Sequence, residues 1–226
     1  MTEVFKLEDL DVDGALQETA AAAGDTRGSF LRKAGLGAGA LVGGGAFLGA
    51  LPAVAGAAGI PASDIAILNF ALTLEYLEAA FYNEAKASGA LNGETLRFAQ
   101  VVSNHENAHV QFLKKVLGGK AVAKPKFDFK GTTSDMAKFQ ATAQVLEDTG
   151  VHAYLGQVGH IKAKPVLAGA GAILPVEARH AAWIRDIRYS GGSTPPTTPA
   201  PAAFEEGYSK AKILAAVKGT GFIVGT

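Results

Sequence analysis

Two short pairs of residues carry the first chemical signal in this chain: Glu106 with His109, and Glu177 with His180. Each pair is spaced by three, so on a helix the carboxylate and the imidazole share one face. Each pair also has an upstream companion in register. The first copy reads Glu75-x6-Tyr82-x23-Glu106-x2-His109, and the second reads Glu147-x6-Tyr154-x22-Glu177-x2-His180. Seven residues are close to two helical turns, so each tyrosine lies on the stripe of its glutamate. Two helix pairs related by an approximate two-fold would bring four carboxylates and two imidazoles to a shared axis. Such a set can hold two divalent metal ions, with two carboxylates bridging and the others terminal. Without metal the carboxylates would repel one another, and several would have to take up protons.

Four helices must position these residues. Ser63 or Asp64 is the expected N-cap of the first, which runs without Gly or Pro to about Ala87. A short turn at Ser88-Gly89 leads to a second helix over Asn92 to Leu117, closed by Gly118-Gly119, so the two are expected to be antiparallel neighbours. Residues 120 to 133, with helix breakers and alternating Phe127 and Phe129, read as a long crossover. A third helix is expected from Ser134, with Asp135 in its first turn, to about Ile161, weakened by Gly150, Gly156 and Gly159. The fourth is expected over Val166 to Tyr189, kinked where Pro175 removes a backbone donor. Residues 191 to 201, GGSTPPTTPAP, are a linker by composition, and AFEEGYSKAKILAAVKG reads as a short amphipathic helix packing on the bundle.

Composition narrows the chemistry. Twenty-one basic and 21 acidic residues give a formal net charge of +0, with no Lys/Arg block, which argues against nucleic acid as the main partner. Cysteine is absent, so disulfides, thiolate metal sites and cysteine nucleophiles are excluded together. Any metal must be held by oxygen and imidazole. A thiol-free chain also suits a protein that meets oxidants.

The N-terminal segment reads as an address. An acidic leader over residues 1 to 24 precedes Arg27, Arg32 and Lys33, then a charge-free run from Ala34 to Ser63 that contains Ala53-Val54-Ala55. It resembles a twin-arginine export signal: Thr26, Arg27, Ser29, Phe30 and Leu31 fit, and Gly28 stands where the second arginine belongs. A cleaved signal, a retained anchor long enough to span a bilayer, and a buried Gly/Ala helix are the three readings of the run. The chain therefore divides into residues 1–59, leader and signal or anchor; 60–190, the bundle; and 191–226, linker and C-terminal helix.

Among the other candidates, Glu78 has no counterpart in the second copy and is read as an outer acceptor or a helix-surface charge. Tyr82 and Tyr154 either hydrogen-bond ligand carboxylates or fill the core. His105, about 100° around the helix from Glu106, is read as solvated or capping. His152 lies off the stripe of Glu147, His160 falls near a helix end, and Trp183 is read as core or bundle edge.

On LNFALTLEYLEAAFY, HENAHVQFL, LEDTGVHAYLGQ and AFEEGYSKAKILAAV, residues 60 to 226 resemble the ferritin-like superfamily. More narrowly they resemble exported ferritin-like domain proteins related to plant desiccation-related proteins. The resemblance implies an all-α, antiparallel four-helix bundle with a long crossover between helices 2 and 3. It implies a carboxylate-bridged di-iron or di-manganese centre, with Glu75, Glu106, His109, Glu147, Glu177 and His180 carried over by position. The expected function is an exported, extracytoplasmic oxidoreductase of oxidase or catalase type, handling oxygen or peroxide in oxidative or desiccation stress. The alternative is a non-enzymatic stress or surface-structural protein whose residues 34–63 anchor to membrane or drive assembly into a homo-oligomer. A closed iron-storage cage is a third, weaker expectation, since fold does not imply function.

Overall fold

The computed structural model describes residues 59–190, 194 and 196–225; the acidic leader and the expected export signal lie outside them. Among the described residues the architecture is all-α. Four long helices form the bundle: α1 (Ala62–Ala87), α2 (Gly93–Leu117), α3 (Met136–Val158) and α4 (Lys164–Tyr189). A fifth, α5 (Lys210–Thr220), is short. Helix α1 packs along α2 and α3 along α4, while α2 against α4 and α1 against α3 join the two pairs. The connections within each pair, residues 88–92 and 159–163, are short enough to make antiparallel neighbours. Between the pairs runs the expected crossover, residues 118–135.

Several element boundaries differ from the sequence expectation, each for a visible reason. Helix α1 begins one turn early, after Pro61, so Asp64 lies inside it and is fully buried. Its carboxylate serves a different helix: it accepts from the backbone N–H of Lys162 (3.1 Å) and Ala163 (2.8 Å), just ahead of α4. Asp135 is the N-cap of α3 rather than a residue of its first turn, and accepts from Lys138 N at 2.8 Å. Helix α4 starts at Lys164 because Pro165 suits a first turn, and it continues past Pro175. The C-terminal helix is shorter than expected: Ser209 caps it, accepting from Lys212 N at 3.3 Å, and residues 203–208 are not helical.

A small strand pair, not foreseen in the sequence, ties the end of the chain to the crossover. Strand β1 (Lys126–Phe127) pairs antiparallel with β2 (Ile223–Gly225), with Phe127 opposite Ile223. Aromatic packing anchors this end. Phe129 from the crossover meets Phe81 edge-on at 5.4 Å, Phe222 meets Phe129 at 5.4 Å, and Phe81 stacks on Phe139 at 5.2 Å. At the other side, Ile213 and Val217 of α5 bury themselves against Phe70, Leu74 and Ala153. Helix α1 is long and apolar enough to cross a bilayer, but most of it is buried in the bundle, as a core helix requires. That same helix carries Glu75 and Glu78 into the interior, at 0% and 3% exposure. Carboxylates at such depth need a partner to be tolerated.

Candidate metal centre

All six residues singled out by spacing meet in the centre of the bundle. Glu75 comes from α1, Glu106 and His109 from α2, Glu147 from α3, and Glu177 and His180 from α4. Two overlapping groups of donor atoms result, each within 4.8 Å: Glu75, Glu106, His109 and Glu177; and Glu106, Glu147, Glu177 and His180. Glu106 and Glu177 belong to both.

The oxygens divide the work between the two groups. Glu106 Oε2 lies 3.2 Å from His109 Nδ1, while Glu106 Oε1 lies 3.2 Å from His180 Nδ1. One carboxylate thus turns one oxygen toward each half of the site. The two lone glutamates behave differently. Glu75 Oε2 faces His109 Nδ1 at 3.2 Å, and its Oε1 accepts from the Tyr154 hydroxyl at 2.5 Å. Glu147 mirrors it: Oε2 faces His180 Nδ1 at 3.2 Å, and Oε1 accepts from the Tyr82 hydroxyl. Each tyrosine therefore serves the glutamate of the other half, and leaves it a single oxygen for the centre. Of the two roles open to these tyrosines from sequence, hydrogen bonding to the carboxylates is the observed one.

Hydrogen bonding among these residues does not account for the arrangement. His109 Nδ1 stands 3.2 Å from Glu75 Oε2, Glu106 Oε2 and Glu177 Oε1 at once, yet an imidazole nitrogen carries at most one proton. Glu106 Oε1 and both oxygens of Glu177 are buried without a hydrogen-bond donor. The 3.2 Å approaches to Glu106 Oε1 and Glu177 Oε1 meet the distance for an ion pair but lack hydrogen-bond direction. Atoms bound at ~2.1 Å to one divalent ion stand ~3.0 Å apart across an octahedral edge and ~3.4 Å across a tetrahedral one. The observed spacing fits that range. The donor set, all oxygen and imidazole, suits divalent metal ions.

Electrostatics point the same way. In the metal-free protein, burial and then the charges of neighbouring glutamates hold Glu75 and Glu177 above the ordinary carboxylate range, although His109 opposes this at both. Burial pushes Glu147 up to about 7, against the pull of His180. Glu106 goes the other way, because His109 and its hydrogen bonds outweigh the burial penalty. Burial opposes the charged imidazoles, yet Glu75 and Glu106 raise His109, and Glu147 and Glu106 raise His180. The cluster thus takes up protons where it lacks another cation, and a metal would displace them.

Two residues refine the sequence reading. Of the two readings of Glu78, outer acceptor and surface charge, burial excludes the second: it lies buried beside the cluster, and burial followed by the charges of Glu177 and Glu147 pushes its carboxyl well up. The signal available was its i+3 spacing from Glu75, which puts both on one stripe of α1. His105 is exposed as expected, but it is not merely solvated. Its Nδ1 lies 2.8 Å from His180 Nε2 and the two rings stack, so the direction away from Glu106 is the direction of α4. His152 and Trp183 stay outside the centre. His152 stacks on Tyr208 at 4.1 Å, and Trp183 donates to Glu94 at 3.0 Å on the bundle edge.

A family model described as a ferritin-like domain matches residues 63–190, which span the four bundle helices and all six clustered residues. A search of curated proteins finds no match.

Proposed function

The chain belongs to the ferritin-like domain family, and from that premise we propose that it holds a carboxylate-bridged pair of iron or manganese ions and handles oxygen or peroxide with them. The observation that carries this reading is the division of oxygens at Glu106, one toward each imidazole, beside a doubly orphaned Glu177. In this assignment Glu106 and Glu177 would serve both ions, Glu75 and His109 would help hold one, and Glu147 and His180 the other. Metals of this kind supply a one-electron step between two and three plus and an affinity for oxygen or peroxide.

The chain's own residues supply the rest. Tyr82 and Tyr154 hold the terminal glutamates each to one free oxygen. His105 fixes the Nε2 side of His180, which turns Nδ1 to the centre. Burial keeps bulk water from the carboxylates, and the absence of thiols removes the side chains that oxidants attack first. The reading extends to an exported stress protein on the strength of the twin-arginine-like segment and the resemblance to desiccation-related proteins. Residues 1–59 would then be the address, 60–190 the working unit and 191–226 its brace.

The test is consumption of oxygen and of hydrogen peroxide by the full chain loaded with Fe(II) or Mn(II). Turnover is expected in the wild type and is expected to be lost in Glu106→Ala. Turnover of equal rate in that variant would sink the reading.

A further inference from the structure

The two halves of the centre are not equivalent, and the difference is written in the sequence register. Glu147 follows Glu75 by 72 residues, and Tyr154 follows Tyr82 by the same 72. At that offset the counterpart of Glu78 is Gly150. The two positions are also adjacent in space. A Cβ added to Gly150 would lie 2.8 Å from Glu177 Oε2 and 3.4 Å from Glu78 Oε1. Where one half has a carboxylate, the other has only the space that the two carboxylates occupy. Glu177 Oε2, the nearer of them, is fully buried and without a donor.

We propose that Glu78 is an additional carboxylate of the metal position built from Glu106, Glu147, Glu177 and His180, making that position the tighter of two unequal sites. The inference rests on the dinuclear reading and adds a seventh participant to it. Two further facts agree. His180 is backed at Nε2 by His105, whose counterpart at the 71-residue offset between the Glu-x-x-His pairs is the apolar Val176. His180 is also the better enclosed imidazole, with 3% side-chain exposure against 11% for His109. One more negative charge and a braced imidazole both raise affinity for a dication.

The experiment is a calorimetric titration of the metal-free full chain with Mn(II). The wild type is expected to bind in two resolved steps. In Glu78→Gln, with the helical signal unchanged, the tighter step is expected to weaken by about tenfold or more while the weaker step stays in place. Glu78→Ala removes the same carboxylate and is expected to weaken the same step, so it decides the matter if Glu78→Gln does not fold. Two equal steps in the wild type, or unchanged steps in the folded variant, overturn the inference and leave the dinuclear reading standing. A wild type that binds no Mn(II) or Fe(II) removes the dinuclear reading itself, and this inference with it.

Discussion

Tyr82 and Tyr154 exchange places across the bundle: each stands seven residues after one glutamate and donates to the other. The exchange ties α1 to α3 through buried polar groups and leaves each terminal glutamate with one oxygen facing its imidazole. Tyr154→Phe removes the donor to Glu75 Oε1 inside a buried site. An unpaired buried acceptor costs about 1–3 kcal/mol. Urea unfolding of the variant should show a loss of that size, and an unchanged midpoint would contradict the role. At this scale the sequence was legible wherever a residue had a partner in register. Glu75, Glu106, His109, Glu147, Glu177 and His180 all stood out by spacing, and the structure gathers them. Glu78 was left between an outer acceptor and a surface charge for the same reason that it matters: it breaks the repeat, so register gave it no weight. His105 depends on where α4 lies relative to α2, and no local pattern on α2 records that.

At the scale of elements, two of the three glycines expected to weaken α3, Gly150 and Gly156, have packing reasons, whereas Gly159 lies at its C-terminal end in open space. A Cβ on Gly156 would lie 2.0 Å from the backbone oxygen of Tyr208, which crosses directly over the helix. There Tyr208 N donates to His152 O at 2.9 Å, and the His152 ring meets Glu206 O at 2.6 Å. Gly156→Ala must therefore push the segment 203–208 away from α3, at a cost of about 1–3 kcal/mol for overpacking against backbone. Limited proteolysis should then cut the variant within 196–208 sooner than the wild type; equal cutting rates would show that the contact holds nothing. The four long helices were legible from hydrophobic runs and breakers. Their ends were less so, because the residues that define them act at a distance. Asp64 looks like a cap for α1 but serves the N–H groups ahead of α4. The strand pair was beyond reach from sequence, since two residues of β1 become a strand only when the chain end returns to them.

For the molecule as a whole, the centre is a store of charge that folding buries, and pH should reveal it. Without metal, Glu147 has a pKa of about 7, raised from 4.5. A raised carboxylate contributes stability that is complete below 4.5 and is lost as pH rises through about 7. Glu75, Glu78 and Glu177 are displaced in the same direction. The raised imidazoles of His109 and His180 add stability that is complete below 6.5 and also falls as pH rises through their folded values. Of the six clustered residues Glu106 alone is lowered, so its contribution is lost only in acid; His105 beside them, lowered by burial and then by His180, opposes the trend but is one group against six. The metal-free chain should therefore melt at a lower temperature at pH 8 than at pH 5. Metal, by replacing the protons, should flatten or reverse that slope. A metal-free melting temperature that rises from pH 5 to pH 8 would contradict the charge assignment.

The most direct measurement is elemental analysis of the purified full chain after loading with Fe(II) or Mn(II) and removal of free metal. Because Glu106 and Glu177 belong to both donor groups, the wild type should retain about two ions per chain and a variant lacking both carboxylates close to none. A wild type that retains none, or a Glu106→Ala/Glu177→Ala variant that retains as much as the wild type, would contradict the bridged dinuclear centre.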